Sequence, residues 1–293
     1  MRIVLIGTVA FSYAALLHLL EIGAEVVGVC TADTNRMNSD YIDLGPVCEN
    51  HRIPMCRCSD INLQETVDWI AKQRPDVIFC FGWSRLIGRS ILSLPPMGVV
   101  GYHPAALPAN RGRHPLIWAL VLGLEKTASS FFLMDERADG GDILSQAEVL
   151  IDPTDDAGSL YQKMIDVARD QLTELVPTLA GGRICGCKQD EGKANVWRKR
   201  SSIDGLIDWR MPAHGIHNLV RALACPYPGA EIATADGIVK VWKSEVISDA
   251  PANTEPGKVL FHLNGRPIIR CGEQAICLLK TEPDFVPAPG VYL

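Results

Sequence analysis

No stretch of this sequence is long and apolar enough to cross a membrane. The first twenty residues are largely apolar, but Gly7, Ser12 and His18 interrupt them, and a spanning helix needs about 18 apolar residues in a row. We therefore expect neither a signal peptide nor a membrane segment. With 293 residues, of which 47% are hydrophobic and 21% charged, the chain is predicted to be a globular, cytoplasmic protein with room for two domains.

Two ligand signatures are missing as well. The Cys-x-Cys pairs at 56–58 and 185–187 have no His or Cys partners at zinc-ligand spacing, so the sequence predicts no metal site. Ten cysteines in a chain of this length, some of them inside apolar runs, indicate reduced thiols and not a disulfide scaffold. Residues 7–11 begin like a dinucleotide-binding loop but lack its second and third glycines, which argues against NAD.

The chain also has no excess of positive charge. Its formal net charge is -6, and the part from Ser201 to the end contains eight Lys and Arg residues but ten Asp and Glu residues. A protein that binds a nucleic acid backbone normally presents a basic face. The charge balance therefore predicts that nucleic acid is not a partner.

Short β-rich runs alternate with helical patterns over the first part of the chain. Strands are predicted at residues 2–6, 25–30, 76–81 and 98–102, and helices at 10–21, 63–73 and 84–92. This order predicts an α/β fold with a Rossmann-like, mainly parallel sheet. The connection at residues 41–60 is expected to be an irregular loop over the site.

The last third of the chain has a different pattern. Residues 159–180 have the spacing of a long amphipathic helix, and a polar, basic stretch follows. Beyond it a helix is predicted at 216–224 and short strands at 237–246, 258–263, 267–270 and 275–279. We therefore expect a catalytic domain at residues 1–187, a linker at 188–202 and a small β-rich domain at 203–293.

The candidates for chemistry lie between Gly98 and Asp142. His103 directly follows a predicted strand, and Asp139 lies 36 positions later in an Asp-Gly-Gly turn. Open α/β sheets bind ligands at the carboxyl ends of their parallel strands. A histidine beside a carboxylate indicates proton transfer, although for the two residues alone a hydrogen-bonded strand end and a turn would be the more common explanation.

The order of residues in this block resembles the formyltransferases that use 10-formyltetrahydrofolate. The matching elements are Gly-Tyr-His103-Pro-Ala-Ala-Leu-Pro108, Asn110-Arg111-Gly-Arg113 and Met134-Asp-Glu-Arg-Ala-Asp139-Gly-Gly-Asp142. The segments Ile207-Asp-Trp209, His217-Asn-Leu-Val-Arg221-Ala and Pro226-Tyr-Pro-Gly-Ala230 are similar to the C-terminal domain of the family, especially of its nucleotide-sugar members. The resemblance implies a Rossmann-like catalytic domain, a smaller OB-like domain and 10-formyltetrahydrofolate as co-substrate.

The resemblance assigns catalysis to His103 and Asp139, whose carboxylate would favour the protonated imidazole and fix its tautomer. One position departs from the family pattern, because the Asn that normally lies two residues before the His is Gly101 here. That amide would help to hold the formyl oxygen. Its role would fall to the Asn110 amide, the Tyr102 hydroxyl or a backbone N–H. Gly101 is also expected to leave room for a water or a shifted substrate.

The resemblance further implies where the folate binds. The expected residues lie in two loops and beside them: Arg85, Leu86, Ile87, Arg113, Asp135, Glu136, Arg137 and Ala138. Backbone groups of such loops would bind the pterin while apolar side chains cover its faces. Leu86 and Ile87 could equally pack at the start of a helix, and Arg111 and Arg113 could be solvated loop charges.

The residues implied for the acceptor are spread along the chain. They are Tyr102, Asn110, Arg198, Arg200, Asn218 and Arg221. Guanidinium groups suit a diphosphate, although a solvated linker accounts for Arg198 and Arg200 nearly as well. Surface salt bridges are the simpler explanation of Asn218 and Arg221.

The predicted function is transfer of a formyl group from 10-formyltetrahydrofolate to the amino group of a nucleotide-linked amino sugar. Such a reaction belongs to the biosynthesis of surface polysaccharides such as lipopolysaccharide O-antigen. A methionyl-tRNA formyltransferase is the alternative, against which the charge balance argues. A catalytically impaired relative that binds folate or nucleotide is a third hypothesis, prompted by Gly101. The amino sugar, its ring position, the nucleotide and a homodimeric state stay open.

Overall fold

The computed structural model describes residues 1–32, 38–251 and 253–293. The first elements along the chain are β1 (Arg2–Gly7), α1 (Ala10–Glu21), β2 (Glu25–Ala32), α2 (Gly45–His51), β3 (Met55–Cys58), α3 (Gln64–Lys72), β4 (Val77–Phe81), α4 (Arg89–Leu92), β5 (Val99–His103), β6 (Arg111–Gly112), α5 (Pro115–Val121), β7 (Lys126–Leu133), β8 (Ile143–Leu150) and α6 (Ala157–Ala180). The later elements are β9 (Val196–Trp197), α7 (Ala213–Ala222), β10 (Ala230–Thr234), β11 (Gly237–Ile247), β12 (Val259–Leu263), β13 (Arg266–Arg270) and β14 (Ala275–Glu282).

The larger sheet has the strand order β3-β2-β1-β4-β5-β7-β8. The pairs from β3 to β5 are parallel, and β7 runs antiparallel to β5. The central strands β1 and β4 are almost continuously apolar and buried, as expected where helices cover both faces of a sheet. His103 is the last residue of β5, so the sheet places it at the carboxyl edge of the parallel strands.

A second, antiparallel sheet has the order β10-β11-β14-β13-β12. The predicted α/β fold with a mainly parallel sheet and a smaller β-rich part is therefore confirmed. No helix in the described ranges is long and apolar enough to span a membrane.

Two local predictions were wrong. Residues 41–60 contain α2 and β3 and are not an irregular loop. The helix expected at residues 84–92 is shortened to α4, because the Asn62 side chain binds the backbone before it. Its amide donates to the Leu86 carbonyl (3.0 Å) and its oxygen accepts from the Gly88 amide (2.6 Å), which satisfies these backbone groups outside a helix.

The chain divides into two compact units. The first unit comprises Met1–Pro115, Thr127–Val149 and Gln162–Trp197, and the second comprises Leu116–Lys126, Leu150–Tyr161 and Arg198–Leu293. The catalytic and folate residues expected from the sequence all lie in the first unit. The expected domain boundaries at residues 187 and 203 stay a prediction.

Candidate active site

His103 is held at the end of β5 with only 4% of its surface exposed. Its Nε2 lies 2.8 Å from the backbone oxygen of Asn110. Because a carbonyl can only accept, Nε2 must donate the proton of this hydrogen bond. The other ring nitrogen, Nδ1, faces the Oδ2 of Asp139 at 3.7 Å. The structure thus brings His103 and Asp139 together, and a second proton on the ring would sit on Nδ1 facing the carboxylate.

Asp139 sits in a tight turn that its neighbours fix. Its φ of 55° lies in the left-handed region, which is uncommon for residues other than Gly, although Asn and Asp adopt it more often than most. Its Oδ2 accepts a hydrogen bond of 2.9 Å from the backbone amide of Gly112. A Cβ on Gly141 would come within 1.7 Å of the Leu133 carbonyl oxygen, so the turn needs glycine at that position.

Gly101 leaves no room beside His103. It pairs with Phe132 across β5 and β7, and a Cβ there would lie 2.8 Å from the Phe132 ring and 2.9 Å from Met134 Cγ. The expectation that Gly101 provides space for a water or a shifted substrate was wrong, because apolar side chains occupy this space. The amide that the family pattern has here is replaced by an apolar surface.

Tyr102 does not lie on the His103 face of the sheet. Successive side chains of a strand point to opposite faces, and the Tyr102 ring stacks on Phe11 with centroids 3.8 Å apart. Its hydroxyl accepts a hydrogen bond of 3.2 Å from Ser129, and burial raises its pKa well above the usual value. The structure therefore does not bring the Tyr102 hydroxyl to the site.

Asn110 lies beside the histidine in a left-handed conformation, with φ 64°. Its backbone amide donates to the Asn195 side chain at 2.7 Å, and its carbonyl holds His103. Within the described parts of the chain, no residue forms a hydrogen bond with its side-chain amide. Of the residues expected to replace the missing amide, Asn110 is the one whose backbone binds the His103 ring.

The first predicted folate loop, residues 85–87, lies partly at the surface. Arg85 is exposed and donates to the carbonyl of Ser59. Leu86 is 72% exposed, whereas Ile87 is buried in a hydrophobic cluster. Arg113 is partly buried and is not a freely solvated charge, because its Nη1 donates to the Ser84 carbonyl at 2.6 Å.

The second predicted folate loop, residues 135–138, is braced by ion pairs. Arg137 contacts Asp135 at 2.6 Å and Glu191 at 3.1 Å. Partial burial opposes ionisation of Asp135, but the hydrogen bonds from Arg137 outweigh it and lower the pKa of the carboxyl. Glu136 and Ala138 are exposed, and Glu136 lies 3.7 Å from Arg89.

Several residues of the site were not predicted from the sequence, because they lie in the stretch that was interpreted as a linker. Glu191 binds the buried Arg111 at 2.9 Å, and this hydrogen bond lowers the Glu191 pKa. Gln189 contacts both Arg111 and the turn of Asp139. The pairing of β6 with β9 explains this arrangement, and the β-branched and aromatic pair Val196-Trp197 is the one sequence signal that could have indicated it.

The cations predicted to bind the acceptor lie in the second unit. The guanidinium carbons of Arg198 and Arg200 lie 5.2 Å and 4.8 Å from the ring centroid of Trp118. Arg198 also binds Asp204 at 2.8 Å. Arg200 is 8% exposed, and burial lowers its pKa. We call Trp118, Arg198, Arg200 and Asp204 the tryptophan–arginine cluster.

Asn218 and Arg221 contact each other and not this cluster. Arg221 Nε donates to Asn218 Oδ1 at 2.9 Å, and its Nη1 donates to the Asp155 carbonyl at 3.0 Å. Burial lowers the pKa of Arg221. These hydrogen bonds connect α7 to the segment that precedes α6, so a structural role accounts for both residues.

Solved structures with a similar fold come from several kinds of protein. HypX from Aquifex aeolicus, in complex with tetrahydrofolic acid, is 17% identical with a TM-score of 0.70, over 96% of this chain and 44% of that chain. The chain thus spans less than half the length of HypX. An N-formyltransferase from Helicobacter canadensis, in complex with folinic acid and dTDP-3-aminofucose, is 14% identical with a TM-score of 0.71, over 95% and 98% of the two chains. A methionyl-tRNA formyltransferase from Clostridium thermocellum is 18% identical with a TM-score of 0.61, over 85% and 95%.

Models of protein families match most of the chain. The formyl transferase model matches residues 1–176, and the model of the formyl transferase C-terminal domain matches residues 199–285. The first match includes His103, Asp139 and both predicted folate loops. The resemblance stated from the sequence is confirmed, and the chain belongs to the formyl transferase family.

Proposed function

We propose that this protein transfers a formyl group from 10-formyltetrahydrofolate to the amine of a nucleotide-linked amino sugar. The observation on which the proposal depends is the His103–Asp139 pair, with Nδ1 and Oδ2 3.7 Å apart, in a chain of the formyl transferase family. Formyl transfer to an amine requires removal of an amine proton and its delivery to the departing nitrogen. A buried imidazole beside a carboxylate suits both steps.

The roles of the two residues follow from their hydrogen bonds. Nε2 of His103 is engaged with the Asn110 carbonyl, which leaves Nδ1 to accept the amine proton. Asp139 then stabilises the positive ring by its negative charge. The same Nδ1 returns the proton to the nitrogen that leaves with tetrahydrofolate, so the pair ends the reaction as it began.

We assign stabilisation of the formyl oxygen to the Asn110 side-chain amide. Phe132 and Met134 fill the space where the family pattern has its Asn, so that position offers no donor. Asn110 adjoins His103 through its own carbonyl, and its amide has no hydrogen-bond partner among the described residues. A donor aimed at the developing charge typically contributes about 100- to 1000-fold in rate.

The folate is proposed to bind at the two loops on either side of Arg113. The exposed Leu86 offers an apolar surface for a flat ring, and the backbone of residues 135–138 offers hydrogen-bonding groups. Arg85 and Arg113 add positive charge for the folate carboxylates, whereas Ile87 supports the loop from the core. The bound tetrahydrofolic and folinic acids of the HypX and Helicobacter canadensis structures support the choice of co-substrate.

The acceptor is proposed to bind through Arg198 and Arg200. Two guanidinium groups stacked on one indole ring form a compact source of positive charge that fits a diphosphate. The dTDP-3-aminofucose bound to the Helicobacter canadensis enzyme supports a nucleotide-linked amino sugar. A role in surface polysaccharide synthesis, a cytoplasmic location and a homodimer stay predictions.

A mass-spectrometric assay tests the proposal. The protein is incubated with 10-formyltetrahydrofolate and a panel of nucleotide-linked amino sugars, with methionyl-tRNA as a further acceptor. We expect one amino sugar to gain one formyl group and His103→Ala to abolish the gain. Formylation of methionyl-tRNA alone would establish the tRNA alternative. Folate binding without any formylated product would instead indicate a binding protein, as the filled space at Gly101 suggests.

A further inference from the structure

The side chain of Gln189 holds the backbone of the turn that contains Asp139. Its Nε2 donates to the carbonyl of Asp139 at 2.8 Å and to the carbonyl of Gly141 at 2.7 Å. One amide group therefore hydrogen-bonds to the backbone of the turn on both sides of Gly140. Gln189 lies 50 positions after Asp139 in the chain, so this contact depends on the tertiary structure.

Arg111 determines which way the Gln189 amide points. The Oε1 of Gln189 accepts from Arg111 Nε at 3.1 Å and from Nη2 at 2.8 Å. Because a guanidinium group only donates, the atom facing Arg111 must be the oxygen, and the amide NH2 must face the turn. Arg111 is itself buried and paired with Glu191 at 2.9 Å, so the orientation of Gln189 is fixed.

The turn needs such a support. Asp139 has a φ of 55°, and a non-glycine residue persists in this region only when its surroundings hold it there. The amide of Gly112 binds the carboxylate at 2.9 Å, but that contact fixes the side chain and not the backbone. Gln189 holds the backbone at Asp139 and Gly141, beside the bond of 2.9 Å from Arg137 Nη2 to the Gly140 carbonyl. The carboxylate then faces Nδ1 of His103.

We propose that Gln189, oriented by Arg111, is a positioning residue that keeps the Asp139 carboxylate directed at His103. Its kinetic consequence rests on the proposed function, but its structural consequence does not. Without the two hydrogen bonds from Gln189, the turn relaxes toward ordinary backbone angles and the carboxylate leaves the Gly112 amide. The reaction step that uses the imidazole then slows, while the substrate-binding residues stay in place.

Amide hydrogen exchange measured by NMR without substrates tests the structural part. Gln189→Glu keeps the size of the side chain but removes both N–H donors. We expect the Gly112 amide to exchange about 10-fold faster in this variant, because its bond to Asp139 opens more often. Arg111→Lys removes the fork that orients Gln189 and should accelerate the same amide to a smaller extent.

Gln171→Glu is the matched control. The Gln171 amide also donates to two groups of the first unit, the Ser129 carbonyl at 3.2 Å and the Ser145 hydroxyl at 2.8 Å. This variant should leave the exchange rate of Gly112 unchanged. Gly112 exchange in Gln189→Glu that equals the wild-type rate would overturn the inference. Gln189→Met provides the same readout if Gln189→Glu does not fold.

A double-mutant cycle tests the kinetic part. Gln189→Glu should lower kcat about 10-fold with KM for the acceptor changed less than about twofold. In an Asp139→Asn background the same change should lower kcat less than about twofold, because Gln189 acts through the carboxylate. Additive losses would contradict the role of Asp139 as intermediary. If the wild-type protein formylates no acceptor while Gly112 exchange still responds, the proposed function fails and the positioning role stands.

Discussion

The polar groups around His103 and those around Trp118 are held by different means. His103 and Asp139 bind backbone groups of the 110–112 segment, which cannot turn without moving a strand. On Trp118, the Arg198 guanidinium instead binds the side-chain carboxylate of Asp204, whereas the Arg200 guanidinium donates to the Asp204 backbone carbonyl. Groups fixed by backbone suit a reaction that tolerates little displacement, whereas an exposed cation held by a side chain, as Arg198 is, can turn toward a ligand. Substitutions in the first region should therefore change kcat, and those in the second should change KM.

His103→Ala should have the largest effect, a loss of about 100- to 10,000-fold in kcat, because general acid–base catalysis typically contributes this much. The matched control is His262→Ala. That histidine also lies 2.8 Å from a backbone carbonyl, the carbonyl of Pro287, but in the second unit. Steady-state kinetics with the amino sugar identified by mass spectrometry would measure both variants. If the His103→Ala protein kept more than about a tenth of the wild-type kcat, the imidazole would not be the acid–base catalyst of the reaction.

In the first part of the chain, the sequence predicts the long helix α1 better than the short strand β3 and the short helix α4. The helix at residues 10–21 coincides with α1 (Ala10–Glu21), because twelve residues give three full turns of pattern. Strand β3 has four residues (Met55–Cys58), which is too short for a period to be visible. Helix α4 was predicted too long because Asn62, more than twenty positions upstream, binds the backbone before it.

Some features of the site can likewise be predicted from the sequence, and others depend on the tertiary structure. The residue types and spacing around His103 and Asp139 are a signature that a sequence can show. Whether Gly101 opens a space depends on the side chains that the neighbouring strand directs toward it. Here Phe132, which pairs with Gly101, fills that space. Gln189 has no signature of its own, since a glutamine that binds two carbonyls is known only when the two segments are seen together.

Gly101→Ala sharpens the comparison by testing how tightly the His103 region is packed. The added methyl would lie 2.8 Å from the Phe132 ring, so we expect a loss of about 1–3 kcal/mol in the free energy of unfolding. Gly181→Ala is the control, because the nearest atoms there lie at an ordinary 3.5 Å. Denaturant unfolding would compare them. Phe132→Leu should restore part of the loss, and a Gly101→Ala protein as stable as the control would mean that the space is not filled.

Arg200→Gln tests the second region. We expect KM for the nucleotide-linked sugar to rise about 10-fold with kcat nearly unchanged, because a charge-assisted contact to phosphate typically contributes about 1.5–3 kcal/mol and Arg198 still supplies part of the charge. Arg210→Gln is a suitable control, since Arg210 lies in the same unit and its guanidinium group hydrogen-bonds, among the described residues, only to Asp208. A drop in kcat without a change in KM would place Arg200 with the reacting groups. It would contradict the division between a first region that determines kcat and a second that determines KM.

The smallest expected effect is a pH dependence of the tryptophan–arginine cluster. Hydrogen bonds from the Arg198 guanidinium, together with the Ser201 backbone amide, hold the pKa of the Asp204 carboxyl well below its usual range. The stability that this carboxylate contributes is therefore fully present above the unfolded-state pKa of about 3.9 and is lost as the pH falls through the lower folded-state value.

Thermal melting of wild type and Asp204→Asn at several pH values would measure this contribution. We expect a small difference in Tm at pH 7 that persists down to about pH 4 and shrinks in more acid solution, where the wild-type carboxyl also begins to lose its charge. Salt should reduce the difference at pH 7, since Arg198 is largely exposed. A difference in Tm that stays constant down to pH 2 would mean that Asp204 acts through its uncharged hydrogen bonds. In that case the cluster would be held much as the His103 region is, and the contrast between the two would narrow.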